Sequence, residues 1–93
     1  MKLDAKSTIE AGKAILGIEF GSTRIKAVLI DQENKPIAQG SHTWENQLVD
    51  GLWTYSVEVI WYGLQDCYAD LRSNVKKLYD IEIEALAAIG VSA

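Results

Sequence analysis

The 93 residues predict an α/β fold in the order β-β-β-α-β, built on a mixed sheet. Three observations carry that prediction. Apolar runs of strand length, rich in Ile, Leu and Val, occur at 14–18, 25–30 and 85–92. Short turns rich in Gly, Asn and Ser separate the early runs, which predicts an antiparallel meander. One long segment, 57–79, repeats apolar residues at spacings of three and four, the period of a helix.

Residues 1–12 read as an N-terminal extension in which the polar stretch 4–12 forms a short helix stopped by Gly12. Residues 13–20 are the first strand. Residues 24–31 are the second, apolar on both faces from Ala27 to Ile30, which predicts a central position. The turn 32–35 follows, where Asn34 takes positive φ at low cost and Asp31 caps the turn. The third strand runs from Pro36 to about Trp44, since proline fits a strand only at its start or on an edge.

Residues 45–55 read as an irregular loop. Ser56 is the expected N-cap of the long helix, with Glu58 in the first turn where the helix dipole favours a carboxylate. Val57, Ile60, Leu64, Cys67, Leu71, Val75 and Leu78 form its apolar stripe, and Trp61 beside them is expected in the core. Cys67 on that stripe reads as buried packing. Residues 85–92 form the last strand, apolar on both faces, and the helix returns it parallel to one of the first three. A single long helix covers one face of such a sheet, and 4–12 is too short and polar to cover the other. The domain therefore reads as incomplete.

The formal charge of −4 and nine thinly spread Lys and Arg argue against nucleic-acid binding. One cysteine excludes an internal disulfide, and one Cys with one His cannot make a four-ligand His/Cys zinc site. This usage fits the reducing cytoplasm. No apolar run reaches the roughly 18 residues of a membrane span. His42 is isolated and is expected on a strand surface.

The segment 15–31, ILGIEFGSTRIKAVLID, holds the chemistry. Glu19 and Lys26 are charges set in apolar strand sequence, on either side of Gly21-Ser22-Thr23-Arg24. A buried charge needs a partner, so a carboxylate and an ammonium facing one glycine turn point to a phosphate and its metal ion. A tight hairpin closed by a Glu19–Lys26 ion pair, with no ligand, is the competing structure. The segment is not a P-loop, which needs Gly-Lys-Ser/Thr and a following helix. It is not a dinucleotide fingerprint either, since that requires three glycines at a strand-to-helix turn.

Residues 17–31 resemble the first phosphate motif of the FGGY sugar kinases, a family within the actin-like, ribonuclease H-like ATPases. The family pattern Asp-x-Gly-Thr/Ser-Thr/Ser-x-x-Lys/Arg is met by Glu19, Gly21, Ser22, Thr23 and Lys26, with Glu in place of the usual Asp. Residues 51–61, GLWTYSVEVIW, resemble the family's loop-to-helix segment through Trp53, Glu58 and Trp61; Ser56 and Val57 replace its Asp-Pro pair. The terminal AIGVSA resembles the strand leading into the sugar-binding loop.

The resemblance covers residues 13–93, the first part of the family's N-terminal domain. It implies ATP and Mg²⁺ as cofactors and a sugar or polyol as substrate. Gly21, Ser22, Thr23 and Lys26 would bind the ATP phosphates, and Glu19 would hold Mg²⁺, through water. Trp44, Trp53 and Tyr55 would form one wall of a sugar pocket, although packing is the commoner use of any single such ring. The family's catalytic base lies in a later segment, so the resemblance assigns no catalytic residue within this chain and implies that the chain alone is inactive. Self-association through an exposed, unfinished sheet is a further expectation. An actin-like filament or chaperone ATPase and a non-catalytic interaction fragment are the alternative functions.

Overall fold

A computed structural model describes residues 4–21, 23–43, 47–49, 52–54 and 57–92. The elements are α1 (Ala5–Glu10), β1 (Ile15–Phe20), β2 (Arg24–Ile30), β3 (Pro36–Thr43), β4 (Gln47–Val49), β5 (Leu52–Thr54), α2 (Val57–Tyr79) and β6 (Ala88–Ser92). The main sheet has the order β3-β2-β1-β6. β1, β2 and β3 form the antiparallel meander, and β6 runs parallel to β1. The α/β class, the mixed sheet and the inner position of β2 all follow the sequence prediction.

Period-two alternation decides the faces. Leu16, Ile25, Ala27, Leu29 and Ala38 point to one side and are buried. On that side α2 places Cys67, Leu71 and Val75, each fully buried, and the helix lies over β3 and β2. Burying a side chain of this size contributes about 1.5–3 kcal/mol. The helix comes in at glycine notches: a Cβ on Gly40 would lie 2.4 Å from the Leu71 backbone nitrogen, and one on Gly63 would lie 2.9 Å from the Ile25 side chain.

α1 is capped by Asp4, whose Oδ1 accepts from the Ser7 N–H at 2.7 Å, and Gly12 ends the segment at φ +69°. Although short and polar, α1 contributes Ile9 to the core and buries Thr8 as well. The Asp31 carboxylate accepts from the Glu33 and Lys35 N–H groups, and Asn34 sits at φ 64°, as the turn chemistry requires.

The outer edge of β3 is closed by side chains from α2. Tyr79 donates to the Ile37 carbonyl at 2.6 Å, Asn74 donates to the Gln39 carbonyl at 2.6 Å, and the Ser41 N–H donates to Asp70 at 2.9 Å. Residues 37, 39 and 41 alternate, so each of three successive outward-facing residues of an edge strand has one backbone group bonded by the helix.

Several expectations are corrected. The supposed irregular loop 45–55 contains a two-stranded antiparallel sheet, β4 with β5, in the register Val49↔Leu52. Trp61 and Leu78, expected in the core, are 60% and 63% exposed, and Leu78 lies at the rim of the helix–sheet contact, bordering an open concavity with residues 36–39 of β3. The first strand begins at Ile15 rather than residue 13, the second ends at Ile30, and the last begins at Ala88 rather than residue 85. β6, apolar on both faces and expected to have the helix over one of them, is exposed at all five of its residues. His42 is not a free surface residue: it shares the helix-facing side with Ile25, bonds Asp66 at 2.8 Å and meets Tyr62 edge-on. The N-cap expected at Ser56 lies outside the described residues.

Cys67 is buried as expected, its thiol donating to the Ile25 carbonyl at 3.6 Å. Burial pushes that thiol up, and the nearby Asp70 charge adds to the effect. The thiolate is the reactive form, so at about pH 8 the native chain should resist a thiol reagent that labels the denatured chain at once. Equal labelling rates in the two states would contradict this packing.

Candidate functional site

The site is built on the β1–β2 hairpin. Alternation turns Glu19 in β1 and Lys26 in β2 to the face away from α2, and the register sets them directly opposite each other, Glu19↔Lys26. Both are exposed. Among the described residues neither takes part in an ion pair, so the hairpin is not closed by a Glu19–Lys26 bridge. The premise that these charges are buried is also corrected. Among the described residues no helix packs on this face, so neither charge loses its water here.

On the other side of β1 the partner of Glu19 is Ser92 of β6. β1 and β6 are parallel, and both end at the level of the Glu19–Lys26 pair. The C-terminal ends of parallel strands are where α/β sheets bind ligands. An open cleft of about 430 Å³ lies there, lined by Gly17, Glu19, Lys26, Val28, Gly90 and Ser92 among others.

Its floor is made by Gly17 and Gly90, which are paired in register. A Cβ on Gly17 would find its nearest neighbour at 3.9 Å, and one on Gly90 would meet nothing within 4 Å. Neither position needs glycine for packing, so the two glycines leave an empty trough beside the charged pair. No local pattern in the sequence assigns Gly17, Gly90 or Ser92 to a site. A glycine in the middle of each apolar run was the available signal, but only the strand register brings them together.

The hairpin tip is separate from the cleft. The Gly21 N–H donates to the Arg24 carbonyl at 2.8 Å, and a Cβ on Gly21 would lie 3.1 Å from that same oxygen. The hairpin itself thus accounts for this glycine. Thr23 is exposed in the turn and does not line the cleft. Ser22, Trp44 and Tyr55 lie outside the described residues. Trp53 is placed in β5, opposite Leu48.

Among the described residues Glu19 is the only carboxylate lining the cleft, and no group of three or more His, Cys, Asp and Glu could hold a metal ion. Lys26 also borders a second, polar concavity with Arg24, Gln39, Ser41, Asp70 and Asn74. No helix among the described residues is long and apolar enough to cross a membrane. No protein-family model matches the chain, and no curated protein matches it.

Proposed function

We propose that the chain is the N-terminal portion of an FGGY-type carbohydrate kinase with a ribonuclease H-like fold, carrying part of the site that transfers the ATP γ-phosphate to a sugar or polyol hydroxyl. One observation carries the reading: Glu19 and Lys26 stand opposite each other, exposed and with no ion pair among the described residues, where parallel β1 and β6 both end. The meander with a parallel fourth strand supports the fold assignment.

Phosphoryl transfer is catalysed mainly by positioning and by neutralising charge. Lys26, a compact point charge on a flexible stem, would draw in the phosphate oxygens and balance charge as it moves. The residue set fits Mg²⁺, which keeps much of its water and is commonly held by one or two carboxylates together with the substrate phosphates. Glu19 would be that carboxylate, and Mg²⁺ would supply charge neutralisation at the phosphates. The longer reach of Glu compared with Asp leaves room for an intervening water. The Gly21 N–H is used by the turn, which leaves Ser22 and Thr23 as the phosphate donors that the resemblance implies at the tip. The trough over Gly17 and Gly90 admits a ligand close to the backbone. The base for the acceptor hydroxyl is assigned to none of the 93 residues.

The test begins with the coding DNA past Ala93. The longer product should release ADP only when a ketose or polyol from a panel is present, and the 93-residue chain alone should release none. Sugar-independent hydrolysis accompanied by filaments would replace this reading with an actin-like ATPase.

A further inference from the structure

The two edges of the main sheet are treated oppositely. On β3 each of three successive outward-facing residues has one backbone group bonded, by Tyr79, Asn74 or Asp70, and Pro36 opens the strand. On β6, the last strand at the other end of the sheet, every residue is exposed, with Ile89 at 61% and Val91 at 64%. Proline, edge charges and covering side chains are the usual protection of a strand against pairing. Ala88–Ser92 contains no charge and no proline, and among the described residues no side chain bonds its outer edge.

We infer that β6 is a self-association edge, at which two copies of this chain pair antiparallel through Ala88–Ser92 about a two-fold axis at Gly90. The inference is made of, and tested on, the 93-residue chain, whereas the kinase reading is tested on the longer product.

The strand is suited to a two-fold axis. An isologous contact sets each residue against its mirror position, residue i against j and j against i. Centred on Gly90, the axis puts Ile89 opposite the partner's Val91 and Ala88 opposite the partner's Ser92. β-branched residues then meet on the helix side and small ones on the open side, and such cross-strand pairs stabilise a sheet.

Charge agrees with this. A two-fold axis brings a group on the axis beside its own copy, so any charge in the strand would be repelled at or near its image. From Ala85 through Ser92 there is none, although the chain carries a net −4. Five residues per copy make a contact smaller than the roughly 800 Å² per partner of a standard interface. The association is therefore weak and concentration-dependent.

Sedimentation of the chain from low to high micromolar concentration should show the mean mass rising from 10.3 kDa toward twice that value. Val91→Lys should remove the rise, while Leu78→Lys, at an exposed apolar residue on α2, should leave it unchanged. The axis itself is tested by cross-linking. Directly opposed residues in an antiparallel pair have Cα atoms about 4.5–5.5 Å apart, within the range of a disulfide. Gly90→Cys should form a disulfide dimer under mild oxidation, since a Cβ there meets nothing within 4 Å and the native Cys67 is fully buried. Ala88→Cys should not, because its opposite is the partner's Ser92. A mass that stays monomeric at every concentration would overturn the inference. So would equal cross-linking of the two cysteine variants, or loss of the dimer in Leu78→Lys alone.

Discussion

Gly40→Ala is expected to cost the fold about 3 kcal/mol, at the upper end of what overpacking a core usually costs. The new Cβ would lie 2.4 Å from the Leu71 nitrogen, 2.7 Å from the Leu71 Cα and 2.8 Å from the Cys67 carbonyl oxygen. All three are helix backbone, which cannot swing aside as a side-chain tip can. Relief would require α2 to lift from β3, uncovering Cys67, Leu71 and Val75 together. A domain of this size has little reserve, since total stabilities run about 5–15 kcal/mol. Gly63→Ala should be milder. Its neighbours are the side chains of His42 and Ile25 at 2.9 Å, and the better helix propensity of Ala returns about 1 kcal/mol. Gly90→Ala, with open space around it, should be close to neutral. Urea unfolding of the three variants checks the order. Equal midpoints for Gly40→Ala and Gly90→Ala would mean that the helix does not rest on the β3 backbone.

What the sequence revealed follows from the range of each interaction. The β1–β2 hairpin was legible because alternation and a four-residue turn together determine its register, and that register sets Glu19 against Lys26. The α2 stripe correctly marked Cys67, Leu71 and Val75. A stripe shows which way a helix faces but not how far the cover over it extends, so Leu78 at its rim and Trp61 beside it were wrongly expected inside. β4 and β5 have three residues each, too few to show a period. The clue was Asp50-Gly51, a dipeptide typical of hairpins, between two short apolar runs. The His42–Asp66 bond joins residues 24 apart in sequence, and neither residue announces the other. The apolar composition of β6 showed that it could be buried, but composition carries no information on whether a partner is there. The trough of Gly17 and Gly90 required the parallel pairing of β1 with β6, which no local pattern specifies.

Replacing the charges of the hairpin should separate function from stability. Lys26→Met and Glu19→Gln keep much of the side-chain volume on an exposed face, and neither charge has an ion-pair partner among the described residues. Stability should therefore change by no more than about 0.5 kcal/mol, the usual range for such surface substitutions. If the site transfers phosphate, sugar-dependent ADP release by the longer product should fall about 10²–10³-fold for Lys26→Met, the scale of removing one preorganised group that stabilises transition-state charge. Glu19→Gln should raise the Mg²⁺ concentration needed for half-maximal release, and excess Mg²⁺ should recover part of the rate. No amount of Mg²⁺ should rescue Lys26→Met, because the missing charge is on the protein. Glu19→Asp, which keeps the carboxylate, should retain most of the turnover. A Lys26→Met variant that lost its urea midpoint while its per-molecule rate stayed normal would make the pair a structural feature of the hairpin, and the phosphate site would have to be sought elsewhere.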